Sequence, residues 1–413
     1  MNSVYQAGVA AGDAPAARQE PARIAWRVVI ISLLTIFLDG FDTTSIGFVA
    51  PTLARQWGLV PAAFTPAFVG TSLGAVIGYM ISGPLARRFG GRGVIFASVL
   101  VFGLGSLLTA FAPNLPMLAL LRLLTGIGLG AALPAAVALA AAQCPDRHRE
   151  MIAVAVTSGI GLGSTFGGVV GGRMIAAYGW ESVFILGGVL PALLLPLVWW
   201  GLPAERPAPG RAPEGGTIGS LFIAGLALRT TLLWSFSFML FLAVYALYFW
   251  LPTLLLDFGF KPQETPLGTA FLGMGGLAGA LLLIPLSARF GAARVLVASS
   301  VLGALAIACI GVAALDRQQV IITIVVTGAA LLAGTVGQSA LAVTLYPGPA
   351  RTTGIGCAAA LGRIGSILGP AAGGLLLSLG KPAREIVLTA CIPVLIAAFA
   401  MLLLAYVQQR NPS

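Results

Sequence analysis

Runs of about twenty apolar residues follow one another along almost the whole of this 413-residue chain, and they leave little choice of fold. Each is long enough to cross a hydrocarbon layer of about 30 Å as an α-helix. Read between charges, prolines and glycines, the runs cover 26–51, 63–85, 94–112, 115–142, 151–174, 182–201, 231–256, 267–287, 293–314, 319–345, 353–379 and 386–407. Only 9% of the residues are charged and 58% are hydrophobic, whereas roughly a quarter of a soluble globule is charged. The expected fold is therefore all-α and membrane-embedded, with twelve transmembrane helices.

Between the sixth and seventh runs the stretch from Leu202 to Ser220 carries Pro203, Pro207, Pro209 and Pro213 with several glycines, a composition that makes a flexible linker. The chain is thus expected to comprise a tail at 1–23, a six-helix bundle at 24–201, a linker at 202–230, a second six-helix bundle at 231–408 and a tail at 409–413. The first residues have no short apolar core with a small-residue cleavage site, so no signal peptide is expected to be removed. Cys144, Cys309, Cys357 and Cys391 lie far apart, with neither metal-ligand nor paired spacing. No metal, cofactor or structural disulfide is expected.

Basic residues are distributed unevenly between the two sides. With the N-terminus placed inside, fifteen of the 23 Lys and Arg fall on that side, six on the other, and Arg122 and Arg363 remain within spans. Loops held in the cytoplasm carry the excess of Lys and Arg, so both termini are expected to be cytoplasmic. The net charge of +10 has the same origin and is not a nucleic-acid footprint.

The two halves repeat. Pro84-Leu85-Ala86-Arg87-Arg88-Phe89-Gly90 matches Pro285-Leu286-Ser287-Ala288-Arg289-Phe290-Gly291, and Pro145 to Arg149 matches Pro347 to Arg351. Gly159, Gly163, Gly167 and Gly168 have the spacing of Gly365, Gly369, Gly373 and Gly374. Such glycine rows let membrane helices approach closely. Internal repeats in a polytopic membrane protein point to a transporter whose two pseudo-symmetric bundles rock about a site near the midplane.

Asp39 and Asp42 are the acids at depth in the spans; the other acidic residues fall in loops, tails or span ends. A carboxylate at the bilayer centre costs roughly 2.5–3.5 kcal/mol even on a lenient scale, so the pair marks a candidate working site. Their spacing of three puts both on one helical face. Two carboxylates so close and partly desolvated resist ionising together, as a reversible proton site requires. One of them could equally serve a polar interhelical network.

Two arginines share that depth. Arg122 is expected to reach an aspartate, either as a coupling partner or as a static ion pair. Arg363 has no acid assigned to it in the second half and is expected to attract a substrate carboxylate, which a guanidinium can grip with two hydrogen bonds; Arg122 could take that role instead. Tyr245, Tyr248, Trp250, Phe41 and Phe48 could line a cavity for a planar ligand, and Gln338 could hydrogen-bond a ring hydroxyl; each could also be packing or facing lipid. His148 lies in a loop.

With these residues in place, the chain resembles a major facilitator superfamily transporter and, within that superfamily, the aromatic acid/proton symporters. Leu38-Asp39-Gly40-Phe41-Asp42 is similar to that family's Asp-Gly-x-Asp signature, Arg122 through Gly130 to the superfamily's fourth-helix Arg/Gly motif, and Gly362-Arg363-Ile364-Gly365 through Pro370 to the family's eleventh helix. The loop segment Gly83 to Arg92 resembles the superfamily's gating motif but departs from it. Arg87 stands where an aspartate is usual, beside Gly83, Arg88, Gly90 and Arg92, and Ala288 does so in the second loop, beside Arg289 and Gly291. In the family that acid latches the cytoplasmic side, so the resemblance implies altered gating here.

A phosphate loop of the ATP-driven kind needs Gly-Lys-Ser/Thr, and the only lysines, Lys261 and Lys381, do not provide one. One loop histidine and scattered cysteines offer no enzyme centre. The resemblance implies a monomeric proton-coupled importer of small aromatic carboxylates, such as hydroxybenzoates, in a bacterial inner membrane. Its partners are protons, substrate and the lipid bilayer. A proton-coupled antiporter exporting drugs or other organic anions is the alternative, since Gly-Pro in the eleventh span has an exchanger-like form.

Overall fold

Helix boundaries fall where the chain places polar caps and left-handed glycines. In a computed structural model, residues 23–204, 218–222, 226–313, 315–346 and 348–410 are described, and the α-helices among them are α1 (Trp26–Trp57), α2 (Thr65–Thr109), α3 (Leu115–Ala142), α4 (Arg149–Thr157), α5 (Gly159–Tyr178), α6 (Glu181–Gly201), α7 (Leu226–Leu254), α8 (Pro266–Phe290), α9 (Ala292–Val312), α10 (Arg317–Leu345), α11 (Gly348–Ser378), α12 (Ala383–Thr389) and α13 (Cys391–Arg410). Asn114 caps α3 by accepting a hydrogen bond from the Met117 N–H at 3.0 Å. Asp316 caps α10 in a reciprocal capping box with Gln319. Gly58, with φ of 64°, ends α1.

Among the described residues, eleven stretches are long and apolar enough to cross a membrane. One of them contains two crossings: α2 has 45 residues, about 68 Å of helix at 1.5 Å per residue and over twice the bilayer core. It breaks at Gly90, whose φ of 77° and ψ of 161° lie outside helical geometry. The described residues therefore make twelve crossings, the second and third joined at that glycine. Gly291, its counterpart in the repeat, has φ of 85° and separates α8 from α9. Arg88 lies over the Phe89 ring at 5.2 Å, and Arg289 over Phe290 at 5.3 Å, so the repeated loops share side-chain geometry as well as sequence.

The glycine rows pack the two halves in the same way. A Cβ on Gly163 would collide with the backbone of α1, which Gly159 also approaches tightly, and one on Gly365 or Gly369 would collide with the backbone of α7. Between α2 and α3, Gly74 and Gly126 permit the same closeness that Gly275 and Gly328 permit between α8 and α10. The second half meets the first where α1 packs on α7, α5 on α8 and α2 on α11. The tightest of these approaches, Gly168 and Gly172 against Pro266 and Gln263, and Gly374 against Thr65, lie at the end of the molecule opposite the Gly90 and Gly291 loops.

The seventh helix begins earlier than the sequence suggests. Residues 226–230, read as the end of the linker, are the first turn of α7, where Arg229 and Thr230 are buried. The Thr230 hydroxyl donates to the Leu221 carbonyl at 2.9 Å, tying this turn to a short 3-10 helix at Ile218–Phe222. The fifth and twelfth crossings are each divided, at Ser158 and Ala390. Most of the two tails and of the linker lies outside the described residues.

Candidate functional site

Near the middle of α1 the two aspartates are both buried, but their carboxylates meet different surroundings. Three residues along an α-helix is a rotation of about 300°, so two side chains on one broad face still diverge by about 60°. That is enough to part them.

Asp42 is enclosed. Its Oδ1 accepts hydrogen bonds from Arg122 Nη1 at 3.2 Å and Ser106 Oγ at 2.9 Å. Arg122, fully buried on α3, also donates from Nη2 to Thr109 Oγ1 at 3.1 Å and Thr125 Oγ1 at 3.0 Å, and lies 5.0 Å from the centre of the Phe184 ring. Both threonine hydroxyls donate their own hydrogens to helix carbonyls, Gly105 O and Leu121 O, which turns their lone pairs to the guanidinium. The pair thus links α1, α2 and α3. A buried ion pair holds together only when neighbouring groups supply such further hydrogen bonds.

Asp39 faces a cavity. It accepts one hydrogen bond, from Thr43 Oγ1 at 3.0 Å on its own helix. Its carboxylate lines a narrow space of about 30 Å³ together with Thr71, Ser72, Tyr245, Phe249 and Arg363. Arg363, mid-way along α11, donates from Nη1 to the Tyr245 hydroxyl at 3.2 Å and lies 5.2 Å from the centre of the Tyr79 ring. No ion pair joins Arg363 to Asp39 among the described residues, although both line the cavity. Such a space holds a water or two, or one carboxylate group, but not an aromatic ring. The walls must part before a ring can enter.

The other expected residues fall into distinct places. Tyr245 is in the cavity wall. Tyr248 is buried beside Ser164, outside this wall. Trp250 does not line the cavity: its Nε1–H donates to the Pro370 carbonyl at 2.8 Å, and its ring packs edge-on to Phe68 at 4.7 Å, tying α7 to α11 and α2. Phe41 and Phe48 are also away from it, packed in the core against the glycine face of α5, beside Gly167 and Gly171. Gln338 is buried on α10, outside the wall, and its Oε1 has no hydrogen-bond partner among the described residues. Of the loop residues, Gly83, Arg87 and Arg88 are exposed, and Arg92 donates to the Trp199 carbonyl at 3.3 Å. His148 sits at the start of α4 and accepts a hydrogen bond from Arg147 Nε at 3.4 Å.

Sequence reading missed Thr43, Thr71, Ser72, Phe249 and Tyr79. Four α2 residues, Thr71, Ser72, Ala75 and Tyr79, recur at helical spacing, and that small polar stripe was the available signal.

Two bundles of matching architecture, each with buried charge near mid-helix, define a polytopic membrane transporter rather than an enzyme. The model of the Major Facilitator Superfamily matches residues 32–286 and 254–413. The gallate transporter of Pseudomonas putida is 34% identical over 408 residues, covering 91% of each chain. The 4-hydroxybenzoate transporter PcaK of the same species is 33% identical over 430 residues, covering 95% of each. Among solved structures, the D-xylose-proton symporter superposes with a TM-score of 0.76 at 16% identity, covering 91% of this chain and 97% of its own. The chain belongs to the major facilitator superfamily.

Proposed function

We propose that this chain is a proton-coupled importer of small aromatic carboxylates, of the gallate and hydroxybenzoate type, that works by alternating access. The observation that carries the reading is that Asp39 and Arg363 line one cavity, the acid from α1 and the cation from α11. A site shared by elements of both halves senses their relative position, as alternating access requires. The names of the relatives support the substrate class.

In this reading Arg363, steadied by Tyr245 and the Tyr79 ring, receives the substrate carboxylate, and the ring lies toward Phe249. Asp39 takes the coupling proton. A neutral Asp39 removes the negative charge facing the incoming anion, so the two ligands favour each other. Loaded with both, the site carries no surplus charge and the helices can change partners; emptied of both, Asp39 and Arg363 again balance each other. The Asp42–Arg122 pair stays closed and holds α1 in register. The close packing of Gly168 and Gly374 at the end opposite the loops fits an outer gate that is shut, with the Gly90 and Gly291 loops and both termini on the cytoplasmic face of a bacterial inner membrane.

Proteoliposomes test this. The expected outcome is that radiolabelled gallate or 4-hydroxybenzoate accumulates above its external concentration when the outside is acidic, and only equilibrates when the proton gradient is collapsed. Accumulation that ignores the gradient would remove the coupling; transport of neither acid would remove the substrate class.

A further inference from the structure

The outside of the molecule carries two grooves that play no part in the site above. The larger, of about 480 Å³, opens between the two limbs of α2 on either side of Gly90, with α3 and α6 beside it; its walls include Leu85, Val101, Ile127, Ser98 and Trp199, and Arg92 stands at its rim. The second, of about 220 Å³, lies between α9 and α13 and includes Arg294, Val297, Leu402 and Tyr406. By the repeat these are equivalent places: Arg92 and Arg294 follow the matched loops, and Trp199 and Tyr406 stand on the sixth and twelfth crossings. Each groove is apolar, ends at the loop side of the molecule and pairs an arginine with an aromatic ring.

Charge at that end is unbalanced in the larger groove. Between Asp42 and Asp146 the chain has no acidic residue, so the loop's Arg87, Arg88 and Arg92 have no acid near them in sequence. None is in an ion pair among the described residues. Arg92 lies 4.8 Å from the centre of the Trp199 ring and uses Nη1 on the Trp199 carbonyl, which fixes the guanidinium at the mouth of the groove with other N–H groups free to donate. Cations at the headgroup level above an apolar cleft match one ligand chemistry, a phosphate diester carrying acyl chains.

We infer that the groove at Arg92 and Trp199 binds an anionic diacyl phospholipid, its phosphate on Arg88 and Arg92 and one acyl chain along Leu85, Val101 and Ile127. The groove at Arg294 and Tyr406 is a smaller counterpart. A lipid bound there bridges the two limbs of α2 across the Gly90 break.

Native mass spectrometry of the full chain, released from nanodiscs of mixed phosphatidylglycerol and phosphatidylcholine, reads the bound lipid directly. The wild type should retain phosphatidylglycerol about ten-fold over phosphatidylcholine. The double variant Arg88→Gln/Arg92→Gln should lose that preference. Ala97→Phe fills the apolar wall while leaving every charge in place, and should also lose the lipid. Arg294→Gln should leave this site occupied. Equal retention of the two lipids by the wild type overturns the inference, as does unchanged phosphatidylglycerol in both the double variant and Ala97→Phe. A doubled protein mass with no lipid would assign the groove to a second copy of the chain and overturn it equally.

Discussion

Asp39 and Asp42 stand three residues apart on α1, yet Asp42 is bonded to Arg122 at 3.2 Å while Asp39 lines a cavity that Arg363 lines too. One helix thus holds a closed charge pair and an open one less than a turn apart. The closed pair is suited to structure, the open one to exchange of ligands, and the predictions below separate them.

Asp42→Asn leaves a buried, uncompensated Arg122. Removing one partner of a buried pair costs about 3–5 kcal/mol, so the variant should unfold at a markedly lower temperature in detergent. Asp42→Asn/Arg122→Met removes both charges and should recover much of the loss. A double variant no more stable than the single one would show that the pair is not what Arg122 needs.

At Arg363 the prediction concerns affinity. Lysine keeps the charge but loses the planar fork, and should raise the half-saturation concentration about ten-fold or more, while Arg363→Gln should abolish saturable binding of an aromatic acid. Tyr245→Phe removes one hydrogen bond to the guanidinium, worth about 1 kcal/mol, and should weaken binding several-fold. Binding by tryptophan fluorescence or calorimetry reads both, and wild-type affinity in Arg363→Gln would move the anion site elsewhere.

Trp250 should behave as a strut. Trp250→Phe gives up the bond to Pro370 and should lower stability by about 1 kcal/mol or somewhat more, with the order of preference among ring-substituted acids unchanged. A changed order of preference would place the indole at the substrate.

Packing predicts a contrast between two glycines on α11. A side chain at Gly369 would run into the backbone of α7 at Leu242, so Gly369→Val should fail to yield folded protein. Gly356 has nothing within 4 Å of its would-be Cβ, so Gly356→Ala should fold and run on size exclusion as the wild type does.

Much of this was legible in the chain itself. The apolar runs give the crossings because a bilayer sets their length, and the repeated loop anticipated the matching left-handed glycines at 90 and 291. The carboxylates and arginines were visible because charge is scarce at depth. Which acid meets which arginine was not, because it depends on about 60° of helix rotation and on the packing of α3 and α11, which spacing along one helix does not carry. Trp250 was left undecided for a similar reason: an indole near mid-span reads as ligand wall or strut until its N–H finds Pro370. Thr71 and Ser72 went unnoticed because hydroxyls within helices commonly bond their own backbone, as Thr71 does with Ala67. The first turn of α7 was lost because Arg229 and Thr230 look like loop residues until their burial is known.

Proteoliposomes holding wild type, Asp39→Asn or Asp42→Asn can separate proton coupling through Asp39 from substrate binding, by comparing proton-driven accumulation with substrate counterflow at equal pH on both sides. Asp39→Asn should keep counterflow and lose accumulation, because a permanently neutral residue still lets substrate bind but can no longer release a proton. The folded fraction of Asp42→Asn should keep both. Accumulation by Asp39→Asn at the wild-type level would contradict coupling through Asp39.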